Sequence, residues 1–130
     1  MPNWCYNRLT IEGEQKDIDK FKKKAKAKDT DVSLNKFVPI PKEQTENWYD
    51  WNISNWGTKW DVDAELVDEW EECLCYEFSS AWSPPVVWLE TVSRKYPALE
   101  FKMKYEEEGM GYMGLAKAHA GNVNDQSIDY

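Results

Sequence analysis

Aromatic side chains are concentrated in one segment of the sequence, NWYDWNISNWGTKWD, which runs from Asn47 to Asp61. Four tryptophans and one tyrosine lie within it, and their spacing fits neither a long helix nor a strand. Exposed rings of this kind anchor protein partners as interface hot spots or stack on nucleic-acid bases. Buried rings instead give an irregular loop a core of its own. The sequence leaves both alternatives open, and packing is the commoner use of such rings.

The first functional hypothesis is that some of these rings stay partly exposed and form a binding surface with the first strand and the segment before the second long helix. The residues predicted to form this surface are Trp4, Tyr6, Arg8, Trp48, Tyr49, Trp51, Asn55, Trp56, Lys59, Trp60, Asp61 and Trp82. Because Trp, Tyr and Arg dominate interface hot spots, a protein is the predicted partner. A nucleic acid is less favoured, since a net charge of -8 leaves no surplus of basic side chains for phosphates. Seven lysines within residues 16–28 provide a local basic track.

A second hypothesis rests on the carboxylates. Between Asp61 and Glu72 the sequence holds seven acidic residues and no basic one. The acidic surface predicted from this run and from a later triplet comprises Asp68, Glu69, Glu71, Glu72, Glu106, Glu107 and Glu108. Carboxylates presented where an enzyme expects phosphates would make the chain an inhibitor of a defence or nucleic-acid enzyme. In a strand only alternate carboxylates share a face, which counts against this hypothesis.

A third hypothesis is an enzyme with a carboxylate site at Glu106–Glu108, where crowding could raise a pKa or hold a divalent ion. A solvated turn is the simpler interpretation of this triplet. The sequence contains no G-x-S-x-G, phosphate loop, H-E-x-x-H or dinucleotide fingerprint. The single histidine, His119, is predicted to lie near the end of the last strand without a catalytic role. We therefore predict a protein that is not an enzyme, with no catalytic residue and no cofactor.

Three cysteines, Cys5, Cys73 and Cys75, are predicted to be ordinary buried thiols. Their odd number, together with a start that lacks a basic, apolar signal region, argues against a secreted disulfide framework and predicts a cytoplasmic protein. The C-x-C spacing lacks the usual zinc pattern, so no metal site is predicted. No apolar run has transmembrane length, so a membrane is not among the predicted partners. The sequence leaves the oligomeric state open.

The elements that must position these residues follow from hydrophobic periodicity. Residues 4–12 alternate with the two-residue period of a strand. The helix that follows is predicted over residues 15–27, and Ile18, Phe21 and Ala25 form a narrow apolar stripe on it under a lysine-rich cover. A short strand is predicted from Leu34 to Val38, ended by prolines. The insertion from Lys42 to Trp60 is expected to form two short helical turns on either side of a kink at Ser54–Asn55.

The second half of the sequence predicts two strands, a helix and two more strands. Residues 61–74 also fit a helix, because Val62, Leu66, Trp70 and Leu74 have helical spacing, and this alternative stays open. The predicted ranges are 61–67 and 73–81 for the first pair, 83–96 for the helix, and 99–106 and 110–120 for the last pair. Ser83 is predicted to cap the helix ahead of two prolines. Trp82 is expected to continue the two-residue rhythm of Leu74, Tyr76 and Phe78.

The order of these elements, with both long helices on one side of an antiparallel sheet, predicts a single α+β domain over residues 1–130. The pattern is the split βαβ arrangement of a ferredoxin-like sandwich, with a Trp-rich insertion and an extra C-terminal strand.

Four spaced motifs carry a family resemblance: MPNWCYNRLTIEG, NWYDWNISNWGTKWD, FSSAWSPP and YEEEGMGYMG. Together they resemble the ferredoxin-like domain family of phage and plasmid proteins typified by the YubB and Api-type proteins. The resemblance implies the same fold and a place on mobile elements, and it brings no established activity. Under it, the predicted partner of the aromatic surface becomes a host or phage protein, and the enzyme that an acidic inhibitor would block becomes one of the host's.

Overall fold

The computed structural model describes residues 3–130, in which six strands and four α-helices surround one core. The strands are β1 (Trp4–Glu12), β2 (Ala64–Trp70), β3 (Cys73–Ala81), β4 (Glu100–Glu107), β5 (Tyr112–His119) and β6 (Asn122–Asp129). The α-helices are α1 (Gln15–Ala25), α2 (Leu34–Phe37), α3 (Trp48–Asn55) and α4 (Val86–Lys95), and a 3-10 helix (Lys42–Asn47) leads into α3. In residues 3–130, no helix has the length and apolar character needed to span a bilayer.

The strands form one antiparallel sheet in the order β2-β3-β1-β4-β5-β6. Strand β1 lies between β3 and β4, and the connections through α1 and α4 return the chain to the sheet as the split βαβ pattern requires. The first four strands therefore form a ferredoxin-like sandwich, and β5 and β6 extend the sheet beyond β4. The predicted α+β fold class is confirmed.

Alternation along the strands puts one face of the sheet against the helices. In β1 the side chains of Cys5, Asn7, Leu9 and Ile11 are buried, and those between them point to the open face. The predicted apolar stripe of α1 is fully buried, and so are Trp88, Leu89 and Val92 of α4. Each large apolar side chain buried in this way contributes about 1.5–3 kcal/mol. Core formation thus leaves the opposite face of the sheet without a covering layer.

A cluster of rings around Phe21 joins both long helices to the sheet. The Phe21 ring stacks on Phe37 of α2 with centroids 4.9 Å apart. It meets Phe101 of β4 at 5.8 Å and Tyr96, just after α4, at 5.5 Å, both edge to face. Offset stacks and edge-to-face pairs add about 0.5–1.5 kcal/mol each to the gain from burial. This cluster fixes α1, α2 and α4 on the same face.

The predicted strand at Leu34–Val38 is wrong, because this segment forms the single helical turn α2. Leu34 and Phe37 are both buried, and their spacing of three places them on one side of a helix. The carboxylate of Asp61 accepts the backbone N–H groups of Leu34 and Asn35, which a helix start leaves without partners. This distant cap has no local sequence signal, so the local pattern fits a short strand as well as a helical turn.

Three other boundary predictions require correction. Only one helix forms within the insertion's aromatic segment, because residues 56–60 are a turn and bends. Ser83 does not cap α4; its hydroxyl donates instead to the carbonyl of Gly57 at 2.6 Å. Trp82 has a positive φ of 71° and leaves the strand rhythm, which exposes its ring. The strand pair predicted at 61–67 and 73–81 is confirmed as β2 and β3, although β2 begins and ends three residues later than predicted.

Strand β6 was not predicted, and the last strand predicted over 110–120 is β5 alone. The sequence of β6, NVNDQSID, is polar and lies at the exposed edge, so it lacks the apolar alternation of a half-buried strand. Its attachment depends on Gly114 of β5. The Tyr105 hydroxyl of β4 passes over this glycine and donates to Asp125 of β6.

We predict that Gly114→Ala destabilises the fold by about 1–3 kcal/mol, the usual cost of an overpacked site. An added Cβ would lie 2.4 Å from the Tyr105 oxygen and 2.6 Å from the carbonyl oxygen of Gln126. Urea unfolding measures the loss. Met113→Ala, on the open face of the same strand, is the control and should change stability little; equal losses in both variants would contradict this account of β6.

Candidate functional site

Exposed rings from two distant parts of the chain meet at one end of β1. Trp4 and Trp60 lie with ring centroids 6.2 Å apart. The ammonium of Lys59 lies 4.5 Å from the centroid of Trp60 and 5.7 Å from that of Tyr49. Tyr49 in turn contacts Trp48 at 5.9 Å. We call this continuous row of Trp4, Trp48, Tyr49, Lys59 and Trp60 the aromatic ridge.

The aromatic ridge is exposed although its members contact one another. Trp4 is 50% exposed, Tyr49 52% and Trp60 38%. The Lys59 ammonium lies between two ring faces, where a cation–π contact contributes about 0.5–1 kcal/mol at an exposed site. Rings presented to solvent in a fixed arrangement are suited to contact a partner, because little conformational freedom remains to be lost on binding.

Trp56 anchors the ridge from below. It is only 2% exposed, and its indole N–H donates to the carbonyl of Val38 at 2.9 Å. Trp51, half-buried, packs edge to face against it at 5.7 Å. The Trp56 carbonyl accepts the backbone N–H of Trp88 near the start of α4. Burial therefore differs between residues of the aromatic segment: Trp56 belongs to the core, and Trp48, Tyr49 and Trp60 face solvent.

Polar side chains hold the irregular part of the insertion against the sheet. The Asn52 amide donates to the carbonyl of Lys59 at 2.8 Å, and the Thr58 hydroxyl donates to that of Ala81 at 2.9 Å. Gly57 has a φ of 83°, a conformation that favours glycine, and it directs the chain from α3 toward Trp60. Asn52 and Thr58 were not among the predicted site residues. Only the tertiary contacts show that these two buried polar side chains hold the insertion in place.

Two predicted site residues play a structural part instead. The Asn55 amide donates to the carbonyl of Trp51 within the last turn of α3. Asp61 accepts the Leu34 N–H at 2.6 Å, the Val62 N–H at 2.8 Å and the Ser33 hydroxyl at 2.7 Å. Because these bonds occupy the Asp61 carboxylate, it has limited capacity left for a partner. Its role is to fix α2 against the start of β2.

Trp82 lies near the ridge but is not part of it. Its backbone N–H donates to Asn3, beside the start of β1, and its carbonyl accepts the Tyr112 hydroxyl at 2.8 Å. The ring is exposed, and it makes no ring-to-ring contact with the aromatic ridge in the part of the chain that the structure describes.

Tyr6 and Arg8 extend the exposed surface along β1. The Arg8 guanidinium bridges Glu77 at 2.6 Å and Asp68 at 3.0 Å. The Tyr6 hydroxyl and then the Arg8 guanidinium, two donors that face the Glu77 carboxylate, hold the pKa of Glu77 below its ordinary value. The same Glu77 carboxylate raises the pKa of Tyr6 and that of Arg8. The three groups form a charged cluster at the surface, with Tyr6 neutral and the other two ionised at pH 7.

The predicted acidic surface does not form a single patch. Asp68 pairs with Arg8, and Glu69 pairs with Lys22 of α1 at 2.9 Å. Glu71 and Glu72 lie in the turn between β2 and β3, at the opposite end of β2 from the ridge. The predicted interpretation of residues 106–108 as a solvated turn fails for Glu107, which is fully buried. Glu106 accepts the Tyr130 hydroxyl, and Glu108 is exposed.

Glu107 continues the inward-facing rhythm of β4, two residues beyond Tyr105, which is a signal that the sequence contained. One carboxylate oxygen accepts the Met110 N–H at 3.1 Å, and the other has no hydrogen-bond partner within residues 3–130. The nearby Cys5 thiol is also buried, and burial raises its pKa to about 11. A thiol with this pKa stays protonated and unreactive at neutral pH. His119 is exposed at the end of β5, and residues 3–130 hold no cluster of three His, Cys, Asp or Glu side chains arranged for a metal ion.

A family model described as the ferredoxin-like domain in Api92-like protein matches residues 55–130, more than half of the chain. The chain belongs to this family. The resemblance carried by the four sequence motifs is thereby confirmed. The matched part of this Api92-like chain includes Trp56, Trp60 and Trp82, whereas Trp4, Trp48 and Tyr49 precede it.

A solved structure of similar fold is the crystal structure of a protein api92 from Yersinia pseudotuberculosis. It superposes with a TM-score of 0.70, covering 100% of this Api92-like chain and 98% of that one, at 12% sequence identity. At this identity the likeness shows the fold alone. No curated protein matches the chain. The family description names no substrate, ligand or partner, so function has to be argued from the site.

We predict that Trp56→Ala lowers the free energy of unfolding by about 3–5 kcal/mol, the usual cost of removing a buried Trp or Phe side chain. Trp60→Ala, four residues later in the same segment, should cost no more than about 1 kcal/mol because its ring is partly solvated. Denaturant unfolding followed by far-UV circular dichroism separates the two. Similar losses in both variants would show that the ridge is part of the core.

A second matched pair tests the role of Asp61. Asp61→Ala removes the acceptor of the free N–H of Leu34, so we expect a loss of about 1–2 kcal/mol, as for a helix cap. Asp63→Ala removes the same charge from an exposed side chain that accepts no hydrogen bond in the described chain, and should change stability by less than about 0.5 kcal/mol. Thermal unfolding at neutral pH gives the comparison, and a smaller effect at Asp61 than at Asp63 would refute the assignment.

Proposed function

We propose that this Api92-like chain is a non-enzymatic binding module that engages a host or phage protein through the aromatic ridge. The observation that carries the proposal is the continuous row of solvent-exposed rings, Trp4 to Trp60 to Tyr49 to Trp48, built on the buried anchor Trp56. Exposed large aromatic side chains are unfavourable for an isolated soluble chain, and a contiguous group of them is typical of an interaction surface.

The arrangement of the ridge supports a protein partner. Interface hot spots combine Trp and Tyr anchors with a surrounding rim that excludes water. Here the rim is polar and charged, with Lys59 between the rings and Asp50 and Asp63 exposed nearby in sequence. Hydrogen bonds from Asn52 and Thr58 hold the insertion in place, so binding would not need to order a mobile loop.

A nucleic acid is a less suitable partner for the same rings. Stacking platforms for single strands lie along positively charged grooves that follow the phosphates. The groove next to Trp4 is instead lined by carboxylates, and the lysine-rich helix α1 lies on the opposite face of the sheet from Trp4 and Tyr6. Phosphates approaching the rings along this groove would therefore be repelled.

The two other hypotheses have less support. Phosphate mimicry needs a row of free carboxylates, and Arg8 and Lys22 neutralise Asp68 and Glu69. A carboxylate enzyme at the triplet would need Glu107 in contact with solvent, whereas its side chain is buried under the turn between β4 and β5. Neither arrangement offers a cleft with a free nucleophile or base.

We expect Trp60→Ala and Tyr49→Ala each to weaken partner binding by at least about tenfold, since truncating a hot-spot ring costs more than about 1–2 kcal/mol. The protein, immobilised, is used to capture partners from a host-cell lysate; the captured protein is then purified and titrated by calorimetry. Trp70→Ala is the matched control, because Trp70 is 58% exposed at the far end of β2. Circular dichroism verifies that all three variants are folded.

The proposal would be overturned if Trp60→Ala and Tyr49→Ala bound the captured partner as tightly as the unmodified chain. It would also be overturned if Trp70→Ala weakened binding to the same extent, because the loss would then not belong to the ridge.

A further inference from the structure

A groove of about 650 Å³ lies on the open face of the sheet immediately beside the aromatic ridge. Trp4, which belongs to the ridge, forms part of one wall together with Tyr6. Carboxylates provide most of the polar lining: Asp61, Asp63, Glu65 and Glu77. Among the described residues, no basic side chain lines it. The groove therefore combines two ring faces with a strongly negative lining.

Only part of this negative charge is neutralised by the protein itself. Glu77 pairs with Arg8, and Asp61 is occupied by the backbone of α2. The carboxylates of Asp63 and Glu65 are exposed, and neither has an ion-pair or hydrogen-bond partner in the described part of the chain. On their other side a second surface depression brings Lys26 and Lys28 into the neighbourhood, without an ion pair to either carboxylate.

We propose that this groove receives an arginine side chain of the partner protein. The inference rests on the proposed function, since the arginine would belong to the protein that covers the ridge. A guanidinium plane can stack on the Trp4 or Tyr6 ring while its N–H groups donate to the unpaired carboxylates of Asp63 and Glu65. The positive charge of the guanidinium would pair with carboxylates that form no ion pair within the described chain.

The chemistry of the groove favours arginine over lysine. A lysine ammonium is a compact, strongly hydrated charge, and it cannot present a planar face to an aromatic ring. Guanidinium is planar and more weakly hydrated, and its fork of donors matches carboxylate geometry. The protein already shows this preference beside the groove, where Arg8 binds Asp68 and Glu77 at once. The partner segment should therefore carry arginine next to the apolar side chains that contact the ridge.

The test is a titration of the folded chain at low ionic strength with N-acetyl-arginine-methylamide, followed by NMR of the Trp4 indole N–H and the Ala64 and Ser79 amides. The matched probe is the citrulline compound, which has the same shape and no charge. We expect saturable shifts at these three groups with the arginine probe and none with citrulline. The double variant Asp63→Asn with Glu65→Gln should weaken binding about fivefold, as expected for losing two exposed ion pairs.

The charge-matched control is Glu12→Gln with Glu100→Gln, which neutralises an exposed pair at the far end of the same open face. It should bind the arginine probe as the unmodified chain does. Equal shifts with citrulline, equal weakening in the control, or a short oligothymidylate that shifts the same groups more strongly would each overturn the inference. If Trp60→Ala still weakens partner binding at least about tenfold in that case, only the arginine assignment falls; if it does not, the proposed function itself is at fault.

Discussion

Burial of Trp56 is the constraint on which the rest of the molecule depends. Regular structure in the insertion between α2 and β2 is limited to two short helices, so side chains have to fix its position against the sheet. The Trp56 ring enters the core, its indole N–H donates to the carbonyl of Val38, and its own carbonyl accepts the N–H of Trp88 in the first turn of α4. Once that ring is fixed, the backbone on either side of Trp56 is fixed too. The neighbouring rings then lie together at the surface.

The packing of the helices also explains why one face of the sheet is uncovered. With α1 and α4 on one side, no element within residues 3–130 covers the outward side chains of β1, β3 and β4. Charge pairs such as Arg8 with Glu77 compensate part of that exposure, and they contribute little to stability in water. The open face is therefore available for recognition, and the aromatic ridge lies at its edge, where the insertion and the first strand meet. Because both helices pack on one face of the sheet, the other face is left free to carry the candidate site.

Predictability from sequence differed between elements for identifiable reasons. Strands β1 and β4 have clean alternation and α1 and α4 have strong apolar stripes, so their ranges were predicted to within a few residues. The α2 turn was predicted as a strand because its cap comes from Asp61, far along the chain. The edge strand β6 was missed because an exposed edge needs no apolar residues to form. The local sequence pattern predicts an element where burial is periodic. It does not predict an element whose hydrogen bonds come from a residue far away in the sequence.

The sequence by itself determined the fold class, the family and the segment in which the rings are concentrated, because these depend on periodicity, order and composition along the chain. Only the tertiary structure decided which rings are buried and which are free. Trp56 and Trp60 have the same side chain and similar neighbours, yet one fills the core and the other faces solvent. Asp61 and Asp63 differ in the same way, one bonded to the backbone of α2 and the other unpaired. The physical reason is that burial and hydrogen bonding are properties of contacts between residues far apart in sequence, which residue type and spacing alone do not specify.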